Sequence, residues 1–569
     1  MSRLVGLCLI VASLFGVTPL SAQSGDMQVF VFDLPDHLFA SRRSAPFDAT
    51  LPLVAALRSP ECAELEDGPI EREQVLELVH ELIAPESWEQ DGADISLQEK
   101  GLLVINRPEV AAQIPAFLAQ FESQVSHDCR VQIYRLEKPR ESGRLQPEEV
   151  VAALKNGATL ISALRLSAGR GLEFGAGRNI PFISKYYVEV AQKATVSDPV
   201  MAEVRVGLRG NVVARPVPGG GIFVRVGLRD ATMVEMKSLK VASQGASILQ
   251  SPTVDSDTFF GSAVLESGAA FVMSAQHGSR RSTFLIRATH RPATIAADAS
   301  FGFLPLGAMG FRLGEHPEFQ LSASDSSEKA LVFVEHEGRV PFSKDSLIES
   351  VKRVVDPQWD EIEHNRFDEL GSSLYVRHEG KKVSAAATIM ARLHRAVIKN
   401  VDVDLCLVNL DDEKERAMRL GSAGPDAASL AAHADERFAF SLVTGDRTRS
   451  VFGREKLQIR DYDAEIAEAS TNLAVKVQTQ FEGYALELEC AGLSQNQASI
   501  SGELVVRRAA SAVRSFDFEV GGNDWGKTAS ISATRPVKSG FVLNGAYFRG
   551  EWQLVGVQDG VALLIRIRR

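Results

Sequence analysis

The sequence predicts an α+β fold built by tandem duplication, in which a small α+β (βαβ-like) domain is followed by a β-rich domain, twice over. Three observations carry this expectation. Ile83-Ala-Pro85-Glu-Ser-Trp88, a polar turn and Gly101-Leu-Leu-Val-Ile105 reappear as Val355-Asp-Pro357-Gln-Trp359, a polar turn and Gly371-Ser-Ser-Leu-Tyr-Val376. Trp88 and Trp359, like Leu103 and Leu374, lie 271 positions apart. Ahead of each tryptophan, Val75, Leu76, Val79, Leu82 and Ile83 are matched by Leu347, Ile348, Val351, Val354 and Val355, 272 positions on. Such spacing puts all five on one face of an amphipathic helix.

The elements follow in the same order in both halves. Met27 to Phe32 reads as a strand bounded by Asp33 and Pro35, and Pro85 ends the first helix as Pro357 ends its counterpart. A short strand comes next (Leu102 to Ile105; Leu374 to Val376). The following helix carries Val110, Ile114, Phe117, Leu118 and Phe121 on one face, matched by Val383, Ile389, Met390 and Leu393. Pro115 requires the first of these helices to start near Ile114. Val131 to Leu136 and Val403 to Val408 close the two units as strands. The remainder of each half is β-rich: Tyr187 to Ala191, Val204 to Val213 and Ile222 to Leu228 in the first, with Pro218-Gly-Gly-Gly221 as a turn. In the second, Glu465-Ile-Ala467 answers Glu189-Val-Ala191, and Val475 to Thr479 and Tyr484 to Leu488 read as a hairpin. Ser267 to Val272 is matched with Ser539 to Leu543. The expected boundaries are 1–22 for a leader, 26–140 and 319–412 for the α+β domains, 141–295 and 413–569 for the β-rich ones, and 296–318 for a linker.

Met1-Ser-Arg3, the apolar stretch from Leu4 to Val17 and Ser21-Ala22 before Gln23 read as a secretory signal peptide. The stretch is too short for a membrane span, and no later segment approaches eighteen apolar residues. The expectation is an exported protein of the periplasm or cell envelope, with no transmembrane span in the mature chain. A formal net charge of −11 disfavours nucleic acid as a partner, because phosphate binding needs clustered Lys and Arg. Four cysteines follow the leader: Cys62, Cys129, Cys406 and Cys490. Export permits disulfides, and Cys62–Cys129 with Cys406–Cys490 is one arrangement; four buried thiols is the other.

No motif announces chemistry. Gly169 to Arg178 is glycine-dense but lacks the Gly-Lys-Ser/Thr ending of a phosphate loop, and it reads as a mobile loop. Asp402 and Asp404, two apart on a strand, are expected to share one solvated face, and Asp411 to Glu415 breaks calcium-loop spacing. The histidines His364, His378 and His394 lack metal-site spacing, and no serine sits in a GxSxG setting. Neither catalytic residue, cofactor nor metal is expected. Trp88 and Trp359, with Pro85 and Pro357, are read as structural anchors that seat helix on sheet.

Pro85-Glu-Ser-Trp88, Gly92, Ile95, Gly101 to Val104 and Pro108-Glu-Val110 resemble a domain of planctomycete and myxobacterial envelope proteins. That domain is similar to the short N-terminal domain of secretins and TonB-type receptors. Tyr186 to Ala191, Asp198-Pro-Val200, Val206-Gly207 and Arg215-Pro216 resemble the β-region that follows in secretin-type proteins. The likeness covers most of 27–290 and, more weakly, 330–569; the second copy lacks the Asp-Pro-Val step and the Arg-Pro pair. No lipid-facing segment is identified, so the resemblance implies secretin-like modules without a pore. The function expected is a non-catalytic envelope scaffold or secretion-system-like interaction protein, with protein partners and self-association. An extracellular glycan- or peptide-binding protein is one alternative, and a hydrolase with a site assembled from distant residues is another.

Overall fold

The computed structural model describes residues 27–34 and most of 70–568; the longer stretches left out within that span are 241–247, 292–298, 322–330, 336–342 and 416–425. Residues 1–22, expected to be a leader, and Cys62 lie outside the described residues. The fold is β-rich, and this corrects the α+β expectation. Two large sheets, both antiparallel throughout, dominate, and the helices are confined mainly to two small lobes.

The first lobe comprises β1 (Gln28–Asp33), α1 (Arg72–Leu82), β2 (Asp94–Gln98), β3 (Gly101–Asn106), α2 (Pro108–Ala111) and α3 (Ile114–Val125). Pro115 falls in the first turn of α3, where its missing N–H costs nothing. There follow β4 (Cys129–Leu136), β5 (Gly143–Leu145), α4 (Pro147–Lys155), β6 (Ala158–Leu166), β7 (Gly171–Ala191), β8 (Ala194–Pro216), β9 (Ile222–Lys240), β10 (Ile248–Leu265), β11 (Ala270–His277) and β12 (Arg280–His290).

The second lobe begins with β13 (Phe301–Pro305), inside the stretch read as a linker, and a separate hairpin of β14 (Pro317–Leu321) and β15 (Leu331–Glu335) intervenes. It continues with α5 (Lys344–Val355), β16 (Arg366–Leu370), β17 (Ser373–Arg377) and α6 (Gly380–Val397). After it come β18 (Asn400–Asn409), α7 (Ala427–Ala432), β19 (Glu436–Val443), β20 (Arg447–Ala467), β21 (Ser470–Leu493), β22 (Gln497–Arg508), the hairpin β23 (Arg514–Val520) and β24 (Lys527–Ala533), β25 (Val537–Phe548), β26 (Trp552–Gln558) and β27 (Val561–Ile567).

Each half contributes strands in the same spatial order. The lobe sheets run β1-β3-β2 and β13-β17-β16. One large sheet reads β25-β22-β21-β20-β10-β9-β8-β7, and the other β26-β27-β18-β19-β11-β12-β4-β6, with β5 added beside β11. The two large sheets face one another across a single apolar core drawn from both halves. Near its centre, the Phe259 ring meets Phe284 edge-on at 5.3 Å and Phe452 of the second half at 5.0 Å.

Several local readings change. Gly171 onward, read as a mobile loop, is the start of β7. The supposed hairpin of Val475 to Thr479 and Tyr484 to Leu488 lies within one strand, β21. Ser539 to Leu543 lies in β25, which pairs with β22 as β10 pairs with β9, and so corresponds to β10 and not to the approach to β11. The hairpin register makes Leu102, not Leu103, the partner position of Leu374: Gln98 pairs with Gly101 as Leu370 pairs with Ser373. A slip of one residue exchanges the two faces of a strand, so the distinction decides which residues are core.

Long strands explain a repeated glycine pair. In the first half Gly177 faces Gly207; in the second, 276 positions on, Gly453 faces Gly483. A Cβ on Gly177 would lie 2.1 Å from the Val206 carbonyl oxygen, and one on Gly453 2.2 Å from that of Glu482. Gly207 (φ +106°) and Gly483 (φ +148°) also hold backbone angles that L side chains rarely adopt.

The second lobe is seated on the sandwich by α6 and β13, whose apolar residues share a core with Val217, Phe223 and Val443. His394 of α6 is buried in that seat, its Nε2 without a partner among the described residues, and burial pushes its pKa down to about 4. The unfolded chain therefore binds this proton first: the neutral ring's full contribution holds above about pH 6.5 and is lost as pH falls toward 4, a change of about 3 kcal/mol. Urea unfolding across pH 7.5 to 4 is expected to show this decline and His394→Leu to flatten it; an unchanged slope contradicts the assignment. Phe259→Ala is expected to cost about 3–5 kcal/mol in one transition reported equally by probes in both halves; a loss confined to one half contradicts a shared core.

Candidate assembly interface

The halves meet edge to edge in both large sheets. Thr253–Thr258 of β10 pairs with Lys456–Val451 of β20, and Ser274, Ala275 and Gln276 of β11 pair with Ala439, Phe438 and Arg437 of β19. At that junction Val451, Phe452 and Glu455 are buried. The corresponding stretch of β7, Gly175–Asn179, is exposed, because no strand lies beyond it among the described residues. The described chain therefore ends each sheet on a strand with no further strand beside it, β7 and β25 in one sheet and β6 and β26 in the other, although Gln553 of β26 closes the Phe548 amide and carbonyl at the end of β25. Large apolar side chains are exposed on three of these four strands, with Val542 (73%) and Phe548 on β25, Leu160 on β6 and Leu554 on β26. The far end of β7 is not open: the Ile183 amide donates to Gln250 Oε1 and the Tyr186 hydroxyl to the Ile248 carbonyl, closing the strand against β10 over a small core around Phe182.

Beside the junction a buried carboxylate holds three donors. Asp257 Oδ1 lies 2.7 Å from His277 Nε2, while Asp257 Oδ2 accepts from Arg280 Nε (2.7 Å) and Ser282 Oγ (2.6 Å). Burial alone would raise the Asp257 pKa, but the His277 hydrogen bond, the Arg280 guanidinium and Ser282 outweigh it and hold the carboxyl below its ordinary value. The His277 ring packs against Phe452 and Tyr484 of the second half, so this group ties polar order on one side to the apolar core on the other. Ser282 donates to the carboxylate and not to His277, which is no arrangement for activating a nucleophile. Arg454 and Asp255 add an ion pair across the strands at 2.6 Å.

The lobes also meet directly. Phe117 and Phe121 of α3 lie on the outer face of the second lobe's sheet, 6.0 Å from Phe301 and 5.2 Å from Phe303. At the rim, Glu81 of α1 accepts from Arg377 at 2.9 Å and lies 3.8 Å from Arg366. A groove of about 480 Å³ opens there, lined also by Glu77, His80, His364 and Asp368. Among the described residues no group of three His, Cys, Asp or Glu side chains is placed to hold a metal ion.

The residues singled out from sequence are dispersed through the fold. Trp88 is buried, donates from Nε1 to the Ile83 carbonyl at 2.8 Å and stacks on His80. Trp359 is buried against Phe367 and His378, and its Nε1 has no acceptor among the described residues. Pro85 opens the short 3₁₀ turn before Trp88; Pro357 is exposed just beyond α5. Cys129, Cys406 and Cys490 are buried, Cys406 and Cys490 form no disulfide with each other, and burial pushes these two thiols up to about 12 and about 11. Asp402 and Asp404 do share a face, but both are buried, Asp402 under Arg144 and Ser441 and Asp404 under Arg566 and Arg568. Sequence reasoning missed the junction residues Asp257, His277 and Arg280; no local spacing marks them, and only the strand register brings them together.

No protein-family model matches the sequence, and no curated protein matches it. Among solved structures the chain is similar to the InvG secretin domain β-barrel of the Salmonella SPI-1 injectisome, at 12% identity over 49% of this chain and 91% of that one, with a TM-score of 0.23. A structure of the Salmonella SPI-1 basal body proteins InvG, PrgH and PrgK aligns at 12% identity over 49% of this chain and 64% of that one, with a TM-score of 0.22. No helix among the described residues is long and apolar enough to cross a membrane.

Asp257→Ala is expected to destabilise the protein by about 3 kcal/mol or more, since it leaves the Arg280 guanidinium without its closest carboxylate and His277 and Ser282 without their acceptor. Chemical denaturation measures it; a change below about 1 kcal/mol would show that the group does not hold the junction.

Proposed function

We propose that this protein is an exported, non-catalytic scaffold of the cell envelope that assembles head to tail with further copies of itself. The observation that carries the reading is that each chain already contains one such joint. Its two halves have matching strand orders in all three sheet pairs, as a tandem duplication would leave them, and they join by pairing β10 with β20 and β11 with β19. The free edges at the two ends belong to the same strand types. β25 holds the place in the second half that β10 holds in the first, and β7 the place of β20; β26 and β6 stand likewise to β11 and β19. A second copy pairing β7 with β25 and β6 with β26 would repeat the internal joint. Such a contact is heterologous, so it closes into a ring or continues as a filament, according to its rotation. Unpaired strand edges with exposed apolar side chains favour pairing of this kind, which supplies the physical motive. The secretin-like sequence pattern is in keeping with ring assembly, and the N-terminal leader pattern with export.

Light scattering on the mature chain over a hundredfold range of concentration tests the reading. The average mass is expected to rise with concentration, and Leu160→Lys on β6 together with Val542→Lys on β25 to hold it at one chain while leaving the circular dichroism unchanged. A strict monomer at the highest concentration would refute it.

A further inference from the structure

The lobes carry a second surface pair that extends this reading and rests on it. Strand register places the two lobe sheets in correspondence at a constant separation of 272 residues: Val29 pairs with Ile105 as Phe301 pairs with Arg377, and Val31 with Leu103 as Phe303 with Tyr375. In the second lobe this outer face is covered by α3 of the first through Phe117 and Phe121. In the first lobe the same face presents Val29, Val31, Leu103 and Ile105, all half-buried and, among the described residues, outside the apolar cores of the two lobes and the sandwich. The matching helix face is also present. Ile389 and Leu393 of α6 stand 272 positions after Phe117 and Phe121 and are half-buried at the margin of the second lobe's own core, and Val354, the counterpart of Leu82, is 68% exposed.

Charge decides what the occupant is. Within the chain, Glu81 of α1 accepts from Arg377 and lies 3.8 Å from Arg366 at the start of β16; Ile105 stands at the Arg377 position, so only the Arg366 contact has a charged counterpart. The counterpart of Glu81 is Arg353 on α5, and the counterpart of Arg366 is Asp94 at the start of β2; both are exposed. The signs are reversed at both positions at once, so the pair that would form between two copies is again attractive. A foreign partner would have no reason to match this inversion.

We infer that the Arg353, Val354, Ile389 and Leu393 face of one copy docks on the Val29, Val31, Leu103, Ile105 and Asp94 face of the next, with Arg353 paired to Asp94. This contact runs in the same direction as the sheet-edge contact: second half of one chain to first half of its neighbour. It gives the joint a second, charged component that selects this chain over other proteins with open sheet edges.

The test exchanges the charges. Asp94→Arg and Arg353→Glu, each alone, are expected to weaken self-association about tenfold or more in sedimentation velocity, with unchanged thermal melting because both residues lie on the surface. An equimolar mixture of the two variants is expected to associate like the wild type. In alternate joints the two native side chains then face each other, and in the remaining joints the two substituted ones do, with opposite charges in every case. If the wild type associates and the single variants do so equally well, the lobe contact is wrong while the sheet-edge reading stands. If the mixture stays as weak as its components, Arg353 and Asp94 are not partners. A wild type that never associates removes the joint altogether, and both readings with it.

Discussion

Backbone hydrogen bonding at the edge of a sheet is the constraint from which the rest of this molecule follows. A strand edge exposes a row of N–H and C=O groups that must pair with protein or with water. Here the first half could not close β10 and β11 by itself. It does so by receiving β20 and β19, and in the process the two facing sheets become continuous across the chain. Each half thereby covers the edges of the other on one side only. The problem is solved in the middle and moved to the ends.

Side-chain chemistry along the joint fits that constraint. The buried stretch of β20 carries Phe452 into the common core, where it meets Phe259 and Phe438, while Asp257, His277 and Arg280 order the flank. Paired glycines let β7 approach β8 and β20 approach β21 closely at equivalent places, and one of them, Gly453, sits within the joint itself opposite Ser256. The lobes obey the same direction, with a helix of one laid on the open sheet face of the next. One geometric relation, repeated in three places, accounts for the arrangement of the large sheets and of the small ones.

Much of this was legible in the sequence, and the failures have physical causes. Helix periodicity located α1 and α5, and the shared spacing pointed to a repeated order of elements. The fold class went wrong because the helical lobes carry the readable signal, whereas the long strands do not. Gly171 to Ala191 is a 21-residue edge strand whose glycines mimic a loop, and β21 has a positive-φ glycine at Gly483 and a register shift between Cys490 and Gly492. Matching Leu103 to Leu374 by similarity missed a one-residue slip that only cross-strand pairing reveals. Asp402 and Asp404 were placed on one face correctly, but their burial under arginines from distant strands has no local signature. The junction residues were invisible for the same reason, since residues as far apart as Asp257 and Phe452 meet only through sheet order.

On the proposed reading, the joint inside one chain is also the joint between chains. Electron microscopy of the purified protein lacking residues 1–22 distinguishes the alternatives. Closed rings or continuous stacks are expected, in which neighbouring halves are evenly spaced, so that the step within a chain equals the step between chains. Isolated two-sheet particles, or assemblies whose spacing alternates between two values, would contradict it.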